Sequence, residues 1–145
     1  LIGEGHAERI KIRVGSAAET GEGIEFPMRG RDIISGLPRE ITVTDAHIRE
    51  ALDRSIRTIV DLIKMTLEVT PPELTGDIHE RGMLLTGGGS LLRGLDEVIS
   101  KATKIPVRIA DDPLSAVVRG TGVLLEDAAL LNEVVIPSTR NSKKR

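Results

Sequence analysis

The fold is decided by residues 82–94, which read Gly-Met-Leu-Leu-Thr-Gly-Gly-Gly-Ser-Leu-Leu-Arg-Gly. The apolar run at residues 83–85 has no helical spacing and predicts a short buried strand. The three glycines that follow remove every side chain from a turn, so another group can approach the backbone closely. Ser90 is placed to cap a helix after the turn, and the free N–H groups of a helix N-terminus suit a phosphate or a nucleotide. The same pattern also serves as a strand–helix connection that binds nothing.

Other chemistry is hard to find in the chain. The glycine run lacks the Gly-Lys-Ser/Thr ending of the P-loop and the spacing of the dinucleotide fingerprint. His6, His47 and His79 are far apart and show no metal-ligand spacing. Ser90 follows the glycines rather than lying between them, so it is not in a nucleophile elbow. We therefore predict no catalytic residue and no metal site in this chain.

Composition bounds the class of protein. The chain has 145 residues, enough for one ordinary domain or two small ones. Its net charge of −2 gives no electrostatic reason to bind nucleic acid. It has no Cys, which excludes disulfides and thiol nucleophiles and is typical of a reducing compartment. No apolar run is long enough to span a bilayer, and the N-terminus does not resemble a signal peptide.

The first half of the chain predicts three short strands and one long helix. Residues 1–8 read as the end of a helix or a loop. Alternating apolar residues then predict strands at Ile10, Ile12 and Val14, at Ile24, Phe26 and Met28, and at Ile41 and Val43. Pro27 within the second of these predicts an edge strand or a bulge. Thr44 or Asp45 is placed to cap a helix whose apolar face comprises Ile48, Leu52, Ile56, Ile59, Ile63 and Leu67.

The second half alternates helices and strands, as in a βαβ core. Thr70 to Glu73 predict a capping box with Pro at the first helical position, and Gly82 ends that helix. Another helix follows the glycines, with the apolar residues Leu91, Leu92, Leu95, Val98 and Ile99, and residues 107–110 predict a strand.

The last predicted helix has Asp112 as its cap and Pro113 at its first position. Its apolar stripe comprises Val117, Val118, Leu124, Leu125 and Ala128. Gly120 and Gly122 lie inside it and predict close packing against another backbone. Residues 137–145 form a polar, basic tail that we expect to be disordered.

Motifs spread along nearly the whole chain carry a family resemblance. They are Leu1-Ile2-Gly3-Glu4, Ala7-Glu8, Arg29-Gly30-Arg31-Asp32, Gly36-Leu37-Pro38-Arg39, Thr70-Pro71-Pro72-Glu73-Leu74, Glu80-Arg81-Gly82, residues 85–96, Ile105-Pro106-Val107 and Asp112-Pro113-Leu114. In this combination the chain closely resembles the C-terminal half of the MreB family, bacterial actin homologues that govern rod cell shape. The glycine turn alone occurs across the wider actin and heat-shock chaperone superfamily.

The resemblance implies a fold and a division of the chain. The fold class is α/β, the second half of the two-domain actin-like ATPase (RNase H-like) fold, with a small α+β subdomain. Residues 1–69 correspond to the small subdomain over the nucleotide cleft, residues 70–137 to the RNase H-like subdomain, and residues 138–145 to the basic tail. By the same resemblance, the chain is a C-terminal fragment, and the phosphate loops and the water-activating carboxylate lie upstream of Leu1.

The resemblance also implies the site residues and the cofactor. Gly87, Gly88, Gly89 and Ser90 would line the adenosine and α-phosphate side of ATP or ADP, whose Mg²⁺ is held mainly by the other half of the protein. The second adenosine element would be Ala7, Glu8, Arg9, Ile10 and Lys11. Glu8 would accept hydrogen bonds from ribose hydroxyls, and the stem of Lys11 would cover the adenine. Without the family match, Glu8 and Lys11 read as a solvent-exposed helix end.

For the intact protein, the resemblance implies a slow ATPase that assembles into filaments and directs cell shape and peptidoglycan synthesis. This chain alone is expected to be inactive. The expected location is the cytoplasm, at the inner face of the cell membrane, held there by upstream residues. The expected partners are further copies of the protein, membrane-associated wall-synthesis proteins and a bitopic adaptor, but no nucleic acid. The alternatives are a heat-shock chaperone ATPase, a sugar or acetate kinase of the same superfamily, or a structural module without a ligand.

Overall fold

The computed structural model describes residues 1–19, 21 and 23–134, so the predicted basic tail lies outside the described residues. This part of the chain contains six α-helices and four strands. They are α1 Glu4–Val14, β1 Glu25–Arg31, β2 Pro38–Thr44, α2 Asp45–Glu68, α3 Pro72–Arg81, β3 Met83–Leu85, α4 Leu95–Thr103, β4 Val107–Ile109, α5 Ala116–Glu126 and α6 Ala128–Val134, with a 3-10 helix at Gly88–Leu91.

Strands β1 and β2 form an antiparallel hairpin, as their alternating apolar residues predict. Phe26 pairs with Val43 and Met28 with Ile41. Pro27 can lie in β1 because the sheet has two strands, so each strand has a free edge.

Helix α1 corrects one prediction, because Ile10, Ile12 and Val14 lie in a helix rather than a strand. The alternation of these residues also contains a helical pair, since Ile10 and Val14 are four residues apart and share one helix face. Both are buried, with 2% and 0% of their surface exposed, whereas Ile12 is 71% exposed. Packing of the Ile10–Val14 pair in the core therefore decides the structure here, and the strand propensity of the β-branched residues does not.

Helix α2 begins as its sequence predicts, but its buried face differs at one position: Val60 is 8% exposed, whereas Ile59, expected on the apolar face, is 42% exposed. Thr44 is its N-cap, and its hydroxyl accepts a hydrogen bond from the N–H of His47, whose Nδ1 accepts one from the N–H of Thr44. This capping box satisfies two backbone donors at the helix start. The apolar face of α2 then packs on α4, where the buried core consists of Ile56, Val60, Leu95 and Ile99.

Strands β3 and β4 pair in parallel, and α4 lies between them in the chain, which confirms the predicted βαβ arrangement. Gly82 ends α3 and leads into β3 with φ of 80°. A Cβ at this position would lie 2.5 Å from the carbonyl oxygen of Pro106. That approach is needed because the N–H of Met83 donates to the same oxygen at 2.8 Å.

Two predicted helix caps are wrong. Thr70 does not cap α3, whose N-cap is Pro71; its hydroxyl instead donates to the carbonyl of Thr66 at the end of α2. A proline does stand at the first position of α3, but it is Pro72, one residue later than a cap at Thr70 implies. Asp112 does not cap α5, which begins only at Ala116. The carbonyl of Pro113 accepts a hydrogen bond from the N–H of Gly87 at 2.7 Å. This carbonyl therefore binds the glycine turn instead of accepting a hydrogen bond within a helix.

The expected close packing at Gly120 and Gly122 is also absent from the described part of the chain. No heavy atom lies within 4 Å of a Cβ built at either glycine. The apolar residues Val117, Val118 and Leu125 of α5 are each about two-thirds or more exposed. Ala128, expected at the end of this stripe, begins α6.

Candidate functional site

The glycine turn, defined here as residues 87–90, follows β3, and residues 88–90 already belong to the 3-10 helix Gly88–Leu91. Gly87 has φ of 78°, a region that a side chain makes unfavourable. A Cβ at Gly87 or Gly89 would have no heavy atom within 4 Å, and one at Gly88 would touch Leu114 at 3.4 Å. The turn therefore has an open side where a ligand can approach the backbone without meeting side chains.

The helix cap predicted at Ser90 is wrong. Its side chain is 3% exposed, and its hydroxyl donates to the carbonyl of Gly87 at 2.7 Å, as does its own N–H at 3.2 Å. Ser90 thus stabilises the turn from inside and does not cap a helix. The next α-helix, α4, begins at Leu95 after Gly94, so no α-helix N-terminus lies at the turn. The dipole of a long helix is therefore not available at the glycines.

The second predicted element, residues 7–11, lies on α1. Ala7, Glu8 and Arg9 are exposed, Lys11 is partly exposed, and Ile10 is buried in the core. Lys11 Nζ lies 2.7 Å from Glu8 Oε2, one helical turn away. The pair keeps a cation and a carboxylate on the surface of one helix, while Ile10 is buried and helps to hold the helix in place.

A cavity of about 520 Å³ adjoins α1. Ala7, Glu8, Ile10 and Lys11 line it, and its other walls come from the hairpin and α2, including Met28, Val43 and His47. The glycine turn does not line this cavity. The α1 residues therefore lie beside the hairpin, and this cavity does not connect them to the glycine turn.

The two elements are connected through Arg93, which is not among the predicted site residues. Its guanidinium donates to the carbonyls of Val14 and Gly15 at the end of α1. It lies three residues after Ser90, so it connects the glycine turn to the helix that carries Glu8 and Lys11. The contacts span 78 and 79 residues of sequence, and no local pattern indicates such a pairing.

The Asp112 carboxylate lies near the turn, next to Pro113, whose carbonyl accepts from the N–H of Gly87. The hydroxyl and the N–H of Ser115 both donate to its carboxylate, and the hydroxyl contact above all lowers the pKa of Asp112. Within residues 1–134, as far as they are described, no group of three His, Asp or Glu side chains could hold a metal ion. No described helix is long and apolar enough to cross a membrane.

Comparison with known proteins places the fold. A family model described as MreB/Mbl protein matches residues 1–133. MreB5 of Spiroplasma citri, solved bound to ADP and bound to AMPPNP, matches with a TM-score of 0.85 at 36% identity, over 91% of this chain and 40% of that one. The chain therefore has the actin-like fold of MreB, which confirms the expected fold class.

Sequence relatives agree. The cell shape-determining protein Mbl of Bacillus subtilis (strain 168) is 48% identical over 127 residues, 88% of this chain and 38% of that protein. The cell shape-determining protein MreB of Escherichia coli (strain K12) is 50% identical over 126 residues, 87% of this chain and 36% of that protein. This chain belongs to the MreB/Mbl family. It spans well under half the length of these relatives.

Proposed function

We propose that this chain forms the nucleoside side of an adenine-nucleotide site in an actin-like, filament-forming protein that determines cell shape. The observation that carries the proposal is the open glycine turn, in which Gly87 and Gly89 leave the backbone bare on one side. Support comes from the relatives, since MreB5 of Spiroplasma citri has been solved with ADP and with AMPPNP. The MreB and Mbl relatives are cell shape-determining proteins.

In this proposal each element has a distinct task. The backbone of Gly87, Gly88 and Gly89 approaches the adenosine and the α-phosphate, and Ser90 supports the turn from inside. On α1, Glu8 accepts hydrogen bonds from the ribose hydroxyls and the stem of Lys11 covers the adenine, which requires their mutual ion pair to open or to share its oxygens. Ala7 and Arg9 complete the exposed surface of this element, and Ile10 anchors it.

Residues 1–69 would then form the small subdomain over the cleft, and residues 70–137 the RNase H-like subdomain. The remainder of a full-length family member would supply the phosphate loops and hold the Mg²⁺ bound to the phosphates. No step of hydrolysis is assigned to a residue of this chain. The chaperone and kinase alternatives are disfavoured because the MreB/Mbl family model covers residues 1–133.

At the level of the cell, the proposal is a filament at the inner face of the cell membrane. Its partners would be further copies of the protein, wall-synthesis proteins and a bitopic adaptor. Filament formation coupled to the nucleotide state would be a population shift between closed and open domains.

The test is sedimentation of the intact protein with ATP, with ADP and without nucleotide. Pelleting that depends on ATP is expected, because nucleotide closes the two domains into the state that assembles. Protein that binds ATP but stays in the supernatant under all three conditions would contradict the filament part of the proposal alone. Protein that neither binds nor pellets would contradict the whole proposal.

A further inference from the structure

The end of α1 is buried, and donors from far along the chain satisfy its backbone. Val14 and Ser16 have 0% of their surface exposed. The last carbonyls of a helix have no partners within it, so a buried helix end needs donors from elsewhere. Arg93 supplies them, with Nη2 donating to the carbonyl of Val14 at 2.8 Å and Nε to that of Gly15 at 3.2 Å.

The main chain of Arg93 holds the same segment. The N–H of Ala17 donates to the carbonyl of Arg93 at 2.7 Å, and Ser16 and Arg93 form a parallel β-bridge. The next residue, Gly94, lies so close that a Cβ there would be 2.6 Å from the Cβ of Ala18. Residues 14–18, called the strap below, are therefore fixed to the chain that leaves the glycine turn.

Arg49 of α2 holds the strap from another element. Its Nη1 donates to the hydroxyl of Ser16 at 3.3 Å and to the carbonyl of Ala18 at 3.4 Å, and it lies 3.4 Å from Asp45 Oδ2. Asp45 is 6% exposed, so this ion pair lies largely away from solvent. The strap is thus bound both by α2, which follows the hairpin, and by the segment that follows the glycines.

We propose that Arg93 is a positioning residue that sets the placement of α1 relative to the glycine turn, and thereby the fit of the nucleoside between them. The inference rests on the proposed function, because it concerns the same nucleotide. Glu8 and Lys11 lie on the helix whose end Arg93 binds, and the glycines lie just before Arg93. A guanidinium donates to two carbonyls at once in a fixed fork, whereas a lysine ammonium is a point charge on a flexible stem.

The test measures the Kd of the intact protein for a fluorescent ADP analogue, well below the melting temperature of each variant. Arg93→Lys is expected to bind about tenfold more weakly, because small misplacements of positioning elements are costly. Arg93→Met is expected to bind more weakly still. Arg57→Met is the matched control, since Arg57 is exposed on α2 and pairs only across one helical turn with Asp53 among the contacts described.

A second control separates positioning from loss of stability. Ile99→Ala weakens the core, where Ile99 is 1% exposed, but touches neither arginine contact with the strap. It is expected to lower the melting temperature and to leave the Kd of the folded protein within about twofold.

Amide hydrogen exchange without nucleotide should be faster at the end of α1 in Arg93→Lys than in wild type, with the β1–β2 hairpin unchanged.

The outcomes distinguish this proposal from the one on which it rests. If wild type binds the analogue and Arg93→Lys binds it equally well, the positioning role is overturned and the nucleotide site stands. If Ile99→Ala loses as much affinity as Arg93→Lys, the effect is one of general stability and the role is again overturned. If wild type does not bind the analogue, both proposals fail.

Discussion

The hydroxyl of Ser90 donates a hydrogen bond to the carbonyl of Gly87 at 2.7 Å, closing the glycine turn from its buried side. The N–H of Ser90 donates to the same oxygen at 3.2 Å. The carbonyl therefore keeps one partner when the hydroxyl is removed. We therefore expect Ser90 to support the turn, and the backbone of the glycines to make any contact with a ligand.

Ser90→Ala is accordingly expected to lower stability and to spare binding. Loss of one buried hydrogen bond costs about 0.5–1.5 kcal/mol in the free energy of unfolding. The Kd for ADP should stay within about twofold, since the hydroxyl faces the interior. Loss of a direct contact worth about 1.4 kcal/mol would instead raise the Kd about tenfold. Urea denaturation and a fluorescence titration of the same preparation measure both. A large loss of affinity at unchanged stability would show that the hydroxyl touches the nucleotide.

Two glycines are expected to respond to alanine in opposite directions. Gly82→Ala should destabilise the protein by about 3 kcal/mol or more, because the residue has positive φ and its Cβ would lie 2.5 Å from a backbone oxygen of Pro106. Gly120→Ala should stabilise it by about 0.5–1 kcal/mol, because the position is helical and open. Urea denaturation compares them. Destabilisation by Gly120→Ala would mean that another part of the intact protein packs against α5.

Asp32 is expected to make the hairpin sensitive to acid. The N–H of Ser35, the side chain of Arg39 and the N–H of Ile34 all donate to its carboxylate and lower its pKa from 3.8 to about 2. Because the folded pKa is the lower one, this contribution to stability is complete above the unfolded pKa and is lost as pH falls through about 2. The amide shifts of Ile34 and Ser35 should therefore titrate near the folded pKa.

The control for that titration is Asp32→Asn, in which the step should disappear from both amides. NMR spectra across the acid range measure both proteins. A midpoint at the ordinary pKa of aspartate in the wild type would mean that the carboxylate is not held by these three donors in solution.

Sequence patterns predict correctly the elements that depend on residues close to one another in the chain. Phe26, Met28 and Val43 alternate because one face of the hairpin is covered, and Thr44 caps α2 with a donor three residues away. The sequence predicts a strand at Ile10, Ile12 and Val14 because their spacing fits strand alternation, but Ile10 and Val14 also fit helical spacing. Only the burial of Ile10 and Val14 and the exposure of Ile12 distinguish the helix from the strand. Asp112 was misassigned because the carbonyl of Pro113 is bound by Gly87, a contact that no nearby residue signals.

The candidate site likewise contains residues that the sequence indicates and one that it does not. The glycines were visible because a bare turn after an apolar run is a local signal, and residues 7–11 came from the family resemblance. Arg93 was missed because its partners, Val14 and Gly15, are nearly 80 residues earlier. An arginine inside an otherwise apolar Ser-Leu-Leu-Arg-Gly run is the one hint the sequence offers, since a guanidinium in such a run needs buried acceptors.

The most direct test of nucleotide binding at the glycine turn is the Kd of the intact protein for ADP after Gly89→Asp. A Cβ at Gly89 would have no heavy atom within 4 Å, and Gly89 does not have a positive φ, so the variant should fold. Gly76→Asp is the matched control, because Gly76 in α3 is equally open. We expect Gly89→Asp to weaken binding by about tenfold or more, through steric and charge conflict with the nucleotide, and Gly76→Asp to leave it unchanged. Equal, wild-type affinity in both variants would contradict the placement of the nucleotide at this turn.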